Sequence, residues 1–137
     1  MALPALLDWI AEASGYDVGA LRRDPPEIVF CDIGDLIDYE GAGLMVEPYM
    51  HAAYDLPAHR IHLVRPWDAS DPKSLSELLH ELVHVAQLAA RDWRCVGEPE
   101  WEAYKLQERW LIEQGAPTDF NWLVIYRLSR CPGDGFP

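Results

Sequence analysis

The sequence predicts an α+β fold, a small N-terminal sheet followed by C-terminal helices, and three observations lead there. Its 137 residues suit one compact domain spanning 1–137 and are too few for two independent catalytic domains. Short β-prone runs, separated by proline and glycine, are confined to residues 28–64. From Pro72 onward the apolar residues recur at three- and four-residue spacing, the period of an amphipathic helix. Half the residues are hydrophobic and six are Trp, which argues for a folded core and against disorder.

Taken in order, Leu3, Leu6, Leu7 and Ile10 have helical spacing, with Pro4 tolerated in the first turn and Gly15 near the end. The Pro25–Pro26 break leads into Ile28 to Cys31, a first short strand. Asp32 to Gly43 holds the acids Asp32, Asp35, Asp38 and Glu40 with three glycines, yet lacks the ordered oxygen spacing of a calcium loop; it reads as a solvated loop. Leu44 to Val46 offer a second strand, and a mixed segment with Tyr49, His51 and Tyr54 follows. His59 to Val64 reads as a third strand, Ile61 and Leu63 on one face and Arg60 and His62 on the other.

Ser70 or Asp71 can cap a helix with Pro72 in its first turn, and Leu75, Leu78, Leu79, Leu82, Val83 and Ala86 give it a broad buried stripe. A break over Asp92 to Pro99 precedes a helix from Glu100 through Gln114, ended by Gly115. A last helix runs from about Thr118 or Asp119 through Arg130, and its Trp122, Leu123, Ile125, Tyr126 and Leu128 read as core.

The formal charge of −12 disfavours nucleic acid and anionic membrane as partners and suits basic or neutral substrates. Both halves are acidic, so no segment reads as a separate interaction tail. The N-terminus lacks the pattern of a secretory signal and no stretch approaches a membrane span, from which a cytoplasmic protein is expected, a secreted mature domain being the alternative. Cys31, Cys95 and Cys131 lack the close pairing of a cysteine zinc site and read as free structural thiols; a Cys95–Cys131 disulfide, flanking the C-terminal helices, is the other reading.

The chemistry concentrates in His80-Glu81-Leu82-Val83-His84, an HExxH pattern on the helix beginning at Pro72. Four residues advance a helix by about one turn, so both imidazoles project from one face and can address one Zn2+ ion. Glu81 is offset around the helix, placed to reach water on the metal, which makes it the candidate general base. A third ligand is needed, and Glu98, Glu100 and Glu102 are on offer. Glu100 is preferred because it shares a helix face with Ala103, Tyr104 and Gln107, the small Ala103 permitting close approach of the two helices; Glu98 precedes Pro99, and Glu102 points about 200° away.

With HELVHVAQ at 80–87 and EWEAYKLQ at 100–107, the chain resembles the zincin metallopeptidases, especially the compact gluzincins, and small zincin-like domains with HELVHxxQ followed by ExEAYxxQ. The resemblance is strong over residues 72–114 and weak elsewhere. It implies a zincin-like fold, Glu100 as the glutamate ligand, and a strand before the HExxH helix that binds extended peptide, for which His59–Val64 is the candidate. The sequence departs from the family at Tyr104, where many members carry an acid, and in having no long C-terminal subdomain to form a second cleft wall. An oxyanion donor is also required; Tyr104, Tyr49, His51 and His62 have suitable chemistry, and Tyr104 is the one nominated.

The leading expectation is a zinc metallopeptidase acting on a peptide or protein substrate, with His80, His84 and Glu100 as ligands and Glu81 and Tyr104 as catalytic groups. A zinc hydrolase of another amide or ester, a regulatory or structural zinc protein on a zincin scaffold, and a purely structural helical protein are the alternatives.

Overall fold

The computed structural model describes residues 2–134, a mixed α+β arrangement of a small sheet, a hairpin and five helices. Helix α1 (Ala2–Ser14) buries Leu6, Leu7 and Ile10, and a short α2 (Gly19–Arg23) follows. Strands β1 (Glu27–Cys31), β2 (Leu36–Tyr39), β3 (Ala42–Met45), β4 (Ala52–Asp55) and β5 (Arg60–Val64) precede α3 (Pro72–Ala90), α4 (Glu100–Glu113) and α5 (Trp122–Leu128). Among the described residues no helix is long and apolar enough to cross a membrane.

Three strands form one sheet in the order β1-β5-β4, with β1 parallel and β4 antiparallel to β5. The sheet face toward the helices supplies Ile61 and Leu63, both fully buried against Leu79, Leu82 and Val83 of α3. Ile10 from α1 and Ala103, Leu106 and Trp110 from α4 complete the same core. Helix α3 begins as its sequence suggests: the Asp71 side chain accepts from the Lys73 N–H at 3.2 Å and Pro72 occupies the first turn.

The expected loop over 32–43 is instead mostly a β2–β3 hairpin, paired from Leu36↔Met45 to Tyr39↔Ala42. Its turn places Glu40 at φ 53° and Gly41 at φ 81°, the left-handed pair that joins two-residue hairpins. Glutamate is an unusual first residue there, and its N–H is held by Asp55 Oδ2 at 2.9 Å, a partner on another hairpin. The mixed segment likewise contains β4, whose two alanines carry little intrinsic strand preference and which forms by pairing with β5. His62, on the strand face opposite Ile61 and Leu63, is also buried, and lines a notch with Ile37 and Asp38 of the hairpin.

Helix α5 is shorter than expected, capped by the Asn121 side chain on Val124 N–H, and only its Ile125 is buried. Leu123, Val124 and Leu128 are exposed, so the helix is not the core element the sequence suggested. Cys95 and Cys131 form a disulfide, against the reading of three free thiols; Cys31 is free and buried. The bridge fastens the α3–α4 connection to the segment after α5. Gly97 lies at the same junction, where an added Cβ would sit 2.0 Å from the Leu128 carbonyl oxygen.

This junction gives a first prediction. Gly97→Ala should cost about 1–3 kcal/mol, because the obstacle is backbone and cannot swing aside. Removing the disulfide, with a sequence separation of 36, should cost about 2–4 kcal/mol by freeing the unfolded chain. Denaturant unfolding reads both; an unchanged midpoint in Gly97→Ala would mean the two segments do not pack this closely.

Candidate metal centre

The two histidines of α3 stand one turn apart with ring centroids 4.6 Å from each other, and their Nε2 atoms approach to 3.0 Å. Glu100, the first residue of α4, brings Oε1 to 3.1 Å from His80 Nε2 and into direct contact with His84 Nε2. One potential ligand atom from each of His80, His84 and Glu100 thus lies within 4.8 Å of the other two. Two features put Glu100 there. Ala103, fully buried, lets α4 close on α3, and the Glu100 N–H on Gly97 O at 3.0 Å fixes the start of α4.

The other two glutamates are held elsewhere. Glu98 pairs with Arg94 and lies 3.8 Å from Arg91, while the Glu102 carboxylate accepts from Tyr16 Oη–H and from Gln87 Nε2. The outer ring nitrogens of the histidines also have partners: His80 Nδ1 meets Gln107 Oε1 at 3.0 Å and His84 Nδ1 meets Gln87 Oε1 at 2.8 Å.

The electrostatics suit a cation. Burial pushes the Glu100 carboxyl up, but hydrogen bonds to His80 and His84 outweigh it and hold the group well below the usual carboxylate range. Burial pulls His84 down, and the Glu100 hydrogen bond with the Glu81 and Glu100 charges more than reverses this, raising it to about 9. Two imidazoles and a carboxylate converge here, and their number and chemistry fit the three-ligand set of a catalytic zinc site.

Glu81 is buried yet lines the cleft, with no hydrogen-bond or ion-pair partner among the described residues. Tyr104 packs on His80 at 4.4 Å between centroids and edge-on to Phe120. Burial, then the Glu100 and Glu81 charges, push its phenol up to about 12, so it stays a protonated donor. Tyr49 and His51 also line the cleft, His51 with its Nδ1 3.6 Å from Glu77 Oε1. His62 does not; its notch is separate.

The cleft encloses about 690 Å³. One wall is β4 with Tyr49; the other comes from Phe120, Val124 and Leu128, so the α5 region supplies the wall that the sequence appeared to lack. Strand β5, nominated for peptide pairing, is central and has both edges occupied, which rules it out. Of the sheet's two edge strands, β1 and β4, it is β4 that lines the cleft. Val64 N–H donates to His51 O, so by alternation the backbone groups of Ala52 and Tyr54 turn outward. Tyr39 Oη–H donates to Tyr54 O at 2.9 Å, leaving the Ala52 N–H and C=O and the Tyr54 N–H.

Sequence reasoning missed Tyr39, Glu77 and the α5 wall, and quoted Gln87 only as the end of the HELVHVAQ motif, without a role. Gln87 carried one signal, a polar side chain one turn after His84 on the helix face that carries both histidines.

A family model described as a domain of unknown function (DUF6647) matches residues 2–137. No curated protein and no solved structure matches the chain.

Proposed function

The chain belongs to the DUF6647 family, and we propose that it is a zinc-dependent hydrolase of zincin type that cleaves peptide bonds. One observation carries this reading: two imidazole nitrogens and a carboxylate oxygen converge beside an acid with no partner of its own, in an open cleft flanked by a strand edge.

His80, His84 and Glu100 would hold the ion. Bound there, zinc supplies Lewis acidity, polarising a carbonyl and acidifying water. Glu81 accepts a proton from the attacking water and returns it to the leaving amine as the C–N bond breaks. Tyr104 donates its hydroxyl hydrogen to the carbonyl oxygen as negative charge develops. The peptide lies along β4, pairing with the Ala52 N–H and C=O and the Tyr54 N–H, which orients the scissile bond by main chain rather than by side chain. The acidity of the chain favours neutral or basic peptides. A Cys95–Cys131 bridge endures in oxidising compartments, which supports the exported alternative over a cytoplasmic one.

The test is an unbiased mixture of unstructured peptides incubated with the zinc-loaded protein, with protein treated with chelator, and with protein reloaded with zinc. Discrete cleavage products are expected in the first and third arms only. Stoichiometric zinc without cleavage of any peptide would point to the partner-binding alternative on the same scaffold, and lack of zinc binding would remove the proposal altogether.

A further inference from the structure

The two candidate histidine ligands each lean on a buried glutamine, and the hydrogen bonds around each amide determine which way it faces. Gln87 is fully buried and its Nε2 has two acceptors, Pro99 O and Glu102 Oε1, both at 2.9 Å. Neither can donate to an oxygen: one is a carbonyl, and the other already accepts from Tyr16. The amino end must point there, so Oε1 faces His84 Nδ1. At Gln107, Nε2 lies 3.1 Å from Ser76 Oγ, whose own hydrogen goes to Lys73 O at 2.7 Å. Ser76 Oγ therefore accepts, and Gln107 Oε1 faces His80 Nδ1.

We infer that Gln87 and Gln107 are positioning residues that fix the ring orientation and tautomer of both imidazoles: each amide oxygen accepts from Nδ1–H, which turns Nε2 inward as the atom that takes a metal. This rests on reading His80, His84 and Glu100 as the ligands. The two sites differ in what they tolerate. Gln87 needs an amide, because it accepts at one end and donates at the other; a carboxylate would set an oxygen against Glu102 and Pro99 O. Gln87 also ties His84 to the residue preceding Glu100, so one side chain aligns two ligands. Gln107 ends on a serine hydroxyl, which can turn and donate, so glutamate fits there. Both amides are neutral, so the ligand set carries only the charge of Glu100.

The full chain and the variants Gln87→Leu, Gln87→Glu, Gln107→Leu and Gln107→Glu are compared by two measurements. Zinc affinity, by chelator competition, should fall about 10–100-fold in both leucine variants and in Gln87→Glu. Gln107→Glu, which keeps an acceptor against His80 Nδ1, should bind at least as tightly as wild type. Long-range 1H–15N spectra of the metal-free protein should show Nδ1 protonated on His80, and this pattern should be lost in Gln107→Leu. Leucine variants with wild-type zinc affinity, or a His80 protonated only on Nε2, would overturn the positioning roles and leave the ligands standing. Wild-type protein that binds no zinc yet keeps the Nδ1–H pattern would instead remove the ligand reading on which the inference rests.

Discussion

Glu81→Gln should lower turnover of a cleavable peptide by about 100-fold or more, some 2.7 kcal/mol of barrier, while fold and zinc content stay close to wild type. The swap keeps shape and helix preference and removes only the capacity to take a proton. Glu81 has no hydrogen-bonding partner among the described residues, so nothing structural is cut. Its charge also helps raise His84, so losing it weakens the hold on a proton and on a cation alike, and the two effects on metal loading offset each other. Metal analysis and rate measurement on the same sample decide the matter. Near-normal turnover with zinc retained would assign proton transfer to another group, and Glu77, a cleft acid raised by burial, would be the next one to test.

The helices that carry the site were legible because local signals agreed with one another. Asp71, Pro72 and the leucine stripe specify α3 without reference to anything distant, and the i, i+4 histidines ride on it. Glu100 was reachable by the same logic, since the face it shares with Ala103 and Gln107 is set within one helix. The sheet was less legible because long-range contacts decide it. Glu40 sits in a turn position that its residue type does not announce, supported by Asp55 from another hairpin. β4 is a strand because β5 lies beside it, and β5 lost its nominated role because β4 covers that edge. The Cys95–Cys131 disulfide was legible only as the second reading, from its place flanking the C-terminal helices, because the close approach of Gly97 to Leu128 is a long-range contact that local sequence does not decide. What could not be read locally is what builds the cleft walls, and what could be read locally is the clustering of His80, His84 and Glu100 between them.

Substitution of the three nearby glutamates should rank them by what each carboxylate now touches. Glu100→Gln should weaken zinc binding more than the roughly 10–100-fold expected from loss of an outer partner, because a neutral amide oxygen replaces the one formal negative charge among the ligands. Glu102→Gln should have a smaller effect: its amide oxygen can still accept from Gln87 and Tyr16, so the support behind His84 is loosened rather than lost. Glu98→Gln should leave zinc affinity nearly unchanged, since its carboxylate serves Arg94 and Arg91 at the disulfide junction, and its cost should appear in unfolding instead. Exposed pairs of this kind are worth about 0–1 kcal/mol, so even that cost is small. The three variants measured side by side under one chelator therefore separate metal capture from scaffold support. If Glu98→Gln or Glu102→Gln lost zinc as fully as Glu100→Gln, the carboxylate ligand would have to be reassigned, and with it the geometry by which α4 meets α3.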